Sequence, residues 1–160
     1  MSSQVVQQFA DAAEQFCAWA EGPPQPSESD AMLALQLLSN LYQQALHLPS
    51  LFGEQEPDEV THDAWKIVYH RFGSLPFNYY MQCTDPSNVP GELPGVADLA
   101  DDLADIWRDL KRGLLLHKAG HASAACWEWR QGFWQHWGNH ASGGIYALHN
   151  WHARHQQSAT

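Results

Sequence analysis

Between Gly95 and Gly113 the chain reads GVADLADDLADIWRDLKRG, and its apolar residues Val96, Leu99, Leu103, Ile106, Trp107 and Leu110 recur at three- and four-residue intervals. That period lays one apolar stripe along an α-helix and does not fit the two-residue alternation of a half-buried strand. On the far side Asp98, Asp102, Asp105 and Asp109 form a second stripe, gathered within an arc of roughly 60°. Stacked aspartates repel one another, and aspartate is a weak helix former. A helix in need of solubility alone is better served by Glu and Lys. The acidic stripe therefore asks for a reason beyond folding.

The rest of the chain repeats the helical period. Val6, Phe9, Ala10, Ala13, Phe16, Cys17 and Ala20 line one face of a first helix, with Ser2 or Ser3 as its expected cap and Gly22-Pro23-Pro24 as its end. A second helix opens at Ser27 or Ser29 and stops before Pro49, with Ala31, Leu35, Leu38, Tyr42 and Ala45 as its centre line. Thr61 caps a shorter third helix that carries Trp65, Val68, Tyr69 and Phe72 and closes at Gly73. Residues 75–81 read as a short helix or an aromatic lid, and 82–95, rich in Pro and Gly, as a loop. The acidic helix then runs to about His117, and Ala119-Gly120 makes a turn. A last helix keeps its period through Phe133, Trp137, Ala141, Ile145, Leu148 and His152 despite Gly138, Gly143 and Gly144. These glycines predict a continuous or kinked helix that admits a close neighbour. Residues 155–160 are expected to fray. No stretch alternates like a strand, so the expected fold is all-α, a single-domain bundle of five to seven helices over 1–160.

Composition narrows the function classes. With 160 residues and 44% hydrophobic content, the chain can bury about 70% of its unfolded surface in one core. A formal net charge of -10 argues against duplex nucleic acid or an anionic membrane as partner. Cys17, Cys83 and Cys126 are odd in number and have neither zinc-ligand nor disulfide spacing. With no basic-then-apolar leader and no apolar run of about 20 residues, the expectation is a reduced, cytoplasmic protein.

The residues able to do chemistry lie mostly after position 100. His136 and His140 stand one helical turn apart on the inward face, a spacing that lets two imidazoles chelate one metal ion. The zinc-protease motif H-E-x-x-H shares that spacing, but Trp137 stands where its general base would be, so a metalloprotease is excluded. His149, His152 and His155 follow at three-residue intervals, and late histidines also suit a helix C-terminus. Three readings of the aspartates stay open. They can be a solvated face with Asp105–Arg108 and Asp109–Arg112 ion pairs, a metal platform completed by histidines from a neighbouring helix, or a docking surface for basic groups. Trp129, Phe133 and Trp137 read as core, while Trp127 and Trp134 project away from them.

Three segments together resemble a bacterial domain-of-unknown-function family numbered 5063: LADDLADIWRDLKRGL from Leu99, HWGNH from His136, and ALH from Ala147. The second helix, from Leu37 to Pro49, is similar too. The resemblance implies a small, mostly helical bacterial protein with no assigned activity. Where that family carries a basic residue, this chain has Tyr146, so any arginine contact to the aspartates is in doubt.

Two functional expectations follow. One is a non-catalytic interaction or structural domain without cofactor, meeting a protein partner or a second copy through its Trp-rich C-terminal half. The alternative is a divalent-metal or small-ligand site, of hydrolase type, drawn from His136, His140 and His149 with Asp102, Asp105 and Asp109.

Overall fold

The computed structural model describes residues 1–158. Six α-helices surround one core: α1 (Ser2–Glu21), α2 (Ser27–Ala45), α3 (His62–Arg71), α4 (Leu99–Lys118), α5 (Ala122–Gly132) and α6 (Gly138–Ser158). The acidic helix α4 is the centre, packed against α1, α3, α5 and α6. Its stripe explains why, since Leu99, Leu103, Ile106 and Leu110 are all fully buried, each worth about 1.5–3 kcal/mol against exposure. Gly113 lets α5 approach: a methyl group there would collide with the Trp129 indole, whose N–H donates to the Leu110 carbonyl at 3.1 Å.

A buried ion pair joins the first three helices. Arg71 reaches both carboxylate oxygens of Asp30, Trp19 Nε1 donates to the same carboxylate at 2.7 Å, and the guanidinium lies over the Trp19 ring. Asp30 is fully buried. Burial opposes its ionisation, yet the hydrogen bonds from Arg71 and Trp19 outweigh that and hold its pKa below the usual aspartate value.

The bundle differs from the sequence reading in four places. Tyr79–Gln82 (β1) and Gly95–Asp98 (β2) form an antiparallel ribbon in register Tyr79↔Asp98, where a lid and the start of the acidic helix were expected. Such a ribbon has only one short edge on each side and needs no strong alternation to pair. Val96 is 70% exposed on it and has left the apolar stripe. Asp98 leaves the acidic stripe too: its side chain accepts from the Asp101 N–H and caps α4, while Asn78 accepts the Leu99 and Ala100 N–H groups. The serine cap expected for α1 does not form, because Met1 holds the cap position, whereas α2 opens at Ser27 as its sequence suggests.

Other expectations hold. Thr61 Oγ1 accepts from Ala64 N–H at 3.2 Å and caps α3. The last helix is continuous from α5 into α6 through a π-helical turn at Phe133–Trp137. Gly143 lies against Gln82 and the Tyr80 hydroxyl, so the close neighbour its lack of a side chain admits is β1. One further expectation fails: the tail expected to fray from residue 155 is helical to Ser158, and residues 159–160 lie outside the described residues. No helix among the described residues is long and apolar enough to cross a membrane.

Candidate metal centre between the acidic helix and the last helix

Asp102, Asp105 and Asp109 do not face open water. They face α6 and the π-helical turn, which carry His140 and His136 one turn apart on the same side. Interruptions of this kind recur at functional sites in helical proteins. The two imidazoles are anchored in the same way. His136 Nδ1 lies 2.6 Å from Asp109 Oδ2, and His140 Nδ1 lies 2.6 Å from Asp102 Oδ1. An ionised carboxylate only accepts, so each Nδ1 carries the proton and each Nε2 lone pair is left free.

Both free nitrogens point to one spot. The two Nε2 atoms are 3.3 Å apart, and Asp105 Oδ2 sits 3.5 Å from that of His136 and 3.6 Å from that of His140. Asp105 is held from its other oxygen: Oδ1 accepts from Trp65 Nε1 at 2.8 Å and forms an ion pair with Arg108 at 2.8 Å. Asp102 is 4% exposed and takes a second hydrogen bond from the Tyr80 hydroxyl at 2.5 Å. That bond follows from the ribbon, because β1 carries Tyr80 past Gly143 to α4.

Electrostatics follows from the packing. The hydrogen bond to Asp102 raises the pKa of His140 against the opposing effect of burial. Burial together with Asp105 and Asp98 raises the carboxyl of Asp101. Burial and the Asp102 contact push the Tyr80 phenol far up, so it remains a donor. With both Nδ1 atoms protonated, two bare Nε2 lone pairs would repel at their separation. Either an extra proton or a cation must lie between them.

Of the sequence candidates, Asp105, His136 and His140 come together as possible ligands, with Asp102 and Asp109 one step behind as supports. His149 does not join them and is exposed beside Leu35, Tyr42 and Tyr146. The Asp105–Arg108 pair forms as expected. The Asp109–Arg112 pair does not, because Asp109 holds His136 while Arg112 lies 3.5 Å from Glu128. Tyr146 is exposed, away from the aspartates, whose partners are Trp65, Tyr80, Arg108 and the histidines. Trp65 and Tyr80 are the site residues that sequence reasoning missed. Trp65 read as part of an apolar helix face and Tyr80 as part of a short helix or lid, and nothing in their spacing ties them to aspartates 40 and 22 positions away.

The comparisons with known proteins bear on the whole chain. A family model described as "Domain of unknown function (DUF5063)" matches residues 1–154. No curated protein matches. A crystal structure of protein BF1032 from Bacteroides fragilis is similar over 91% of this chain and 93% of that one, with a TM-score of 0.72 and 21% identity. At that identity the likeness concerns the fold. Neither description carries an activity.

Proposed function

The chain belongs to the DUF5063 family, and we propose that it is a divalent-metal protein whose ion is held by Asp105, His136 and His140. One observation carries this reading: the triangle of 3.3, 3.5 and 3.6 Å between the three ligand atoms. Tetrahedral zinc, with bonds of about 2.0–2.2 Å, spaces its ligands by roughly 3.3–3.5 Å. Three ligands on one face of an octahedral magnesium ion stand closer, at about 3.0 Å, so the spacing favours zinc over magnesium, and two imidazoles among the ligands disfavour calcium, which takes oxygen. The hydrogen bonds from both Nδ1 atoms to carboxylates are the supports that orient ligating histidines and raise their basicity.

Three protein ligands leave a fourth position open, as catalytic zinc sites do. The site is within reach of solvent, with the His136 side chain 42% exposed and forming one wall of a polar cleft of about 490 Å³ beside Arg108, Arg112 and Glu128. Water bound there would have its pKa lowered toward neutrality, and metal-assisted hydrolysis is the reaction class such a site serves. Metal analysis of tag-free protein tests the proposal. One zinc per chain is expected, falling to background in His136→Ala and His140→Ala variants that keep wild-type helicity. Background zinc in wild type after equilibration with the metal would overturn it.

The interaction-domain reading keeps one supporting observation. Trp134 is 62% exposed and Phe52 66% exposed, on the side of the Trp-rich helix turned away from the core. Trp129 and Trp137, by contrast, are fully buried, and Phe52 packs edge-on against Trp127. Concentration-dependent sedimentation separates the two readings, since only self-association through this face predicts a dimer weakened by Trp134→Ala.

A further inference from the structure

A second hollow, of about 460 Å³, lies between β1 and the late turns of α6. Its walls are Phe77, Tyr80, Met81, Tyr146 and Trp151, and Arg154 stands among them. The volume falls within the roughly 300–1,000 Å³ of small-molecule sites, and an apolar wall with few polar groups is their usual make-up.

Arg154 is unusual among the basic residues of this chain. There are eight Lys and Arg against eighteen Asp and Glu. Lys66, Arg71, Arg108, Lys111, Arg112 and Lys118 each lie within 4.0 Å of a carboxylate. Among the described residues, the guanidinium groups of Arg130 and Arg154 have neither a carboxylate partner nor a hydrogen bond, and of the two only Arg154 lines the hollow. An exposed cation left free beside aromatic rings is suited to an anion that brings its own ring.

The charge sets the class of ligand. One guanidinium forks onto one carboxylate through two parallel hydrogen bonds. A phosphate monoester would bring nearly two charges into a protein of net charge -10, with a single cation to meet them. The rings set the rest: Trp151 is held by stacking on His155, with centroids 4.1 Å apart, and lies near-parallel to Phe77, so with Tyr80 and Tyr146 it makes a fixed aromatic wall for a planar group. We propose that this hollow binds a small aromatic monocarboxylate, its ring against Tyr80, Tyr146 and Trp151 and its carboxylate on Arg154. Tyr80 is common to this hollow and to the supports of the metal centre, but binding here does not depend on a metal.

The test uses ¹⁵N-labelled full chain in EDTA, so that metal occupancy does not enter. The readout is the Trp151 indole N–H resonance, assigned with a Trp151→Phe variant, during titration with 2-naphthoate or neutral 2-naphthamide. The expected result is a saturable shift with naphthoate at about tenfold or greater affinity over the amide, the worth of one charge-assisted hydrogen-bond pair. Arg154→Gln should bring naphthoate down to the amide's level, while Arg130→Gln, on α5 and outside the hollow, should change nothing. Absence of a saturable Trp151 shift, or equal naphthoate affinity in wild type and Arg154→Gln, would overturn the proposal.

Discussion

The Nε2 atoms of His136 and His140 face each other across 3.3 Å, and each ring is turned to that pose by a carboxylate 2.6 Å behind it. Two aspartates thus hold two lone pairs against their mutual repulsion. A proton or a cation between them relieves that repulsion, and the cation is the reading proposed above.

The supports should matter almost as much as the ligands. Asp109→Asn and Asp102→Asn each remove one ionised acceptor behind an imidazole, which typically weakens metal binding about 10–100-fold. Competition against a chromogenic zinc chelator should show that loss with the stoichiometry unchanged. Tyr80→Phe, which takes one hydrogen bond from Asp102, should fall between wild type and Asp102→Asn.

Binding should also depend on pH, with a definite sign. The folded-state pKa of His140 is raised by Asp102, so in metal-free protein the imidazolium stabilises the fold at low pH. That contribution fades as pH rises through the raised pKa. Metal needs the neutral ring, so zinc affinity should strengthen as pH climbs past the ordinary histidine range and flatten above the His140 pKa. Zinc titrations between pH 6 and 8.5 check this. The slope should shrink in Asp102→Asn, where the cause of the shift is gone.

Asp30 predicts acid sensitivity of the fold itself. Its pKa is lowered in the folded state, so the stability it contributes is complete above the unfolded aspartate value and is lost as pH falls through the lower, folded one. Asp30→Asn leaves Arg71 buried and uncompensated, which costs about 3–5 kcal/mol. Urea denaturation at neutral pH should show that loss, with a shallower pH dependence below pH 4 than wild type.

Gly113→Ala separates folding from the site. The added methyl meets the Trp129 indole, which is anchored to the Leu110 carbonyl and cannot yield cheaply. Overpacking of this kind costs about 1–3 kcal/mol. Thermal unfolding should fall accordingly, while zinc stoichiometry stays at one per chain.

The helices were legible because their apolar residues keep a 3.6-residue period, and α4 above all wrote its buried face into Leu99, Leu103, Ile106 and Leu110. The ribbon was not, since four-residue strands pair through backbone groups that leave little trace in side-chain pattern. The stripe and the histidine pair were both visible, but their union was not. It depends on how α4 packs against α6 and the turn before it, which no spacing rule announces. Asp98 shows the limit most plainly: on the wheel it belongs with the other three aspartates, yet it sits one residue before the helix and spends its side chain as a cap.

The ligand set of the ion is what defines the centre between α4 and α6. X-ray absorption at the zinc edge of reconstituted, tag-free protein reports it directly. The predicted spectrum is four-coordinate, with two imidazoles and two oxygen ligands at about 2.0–2.2 Å, and with one imidazole lost in His140→Ala. A site with no imidazole signature, or one unchanged in both His136→Ala and His140→Ala, would contradict it.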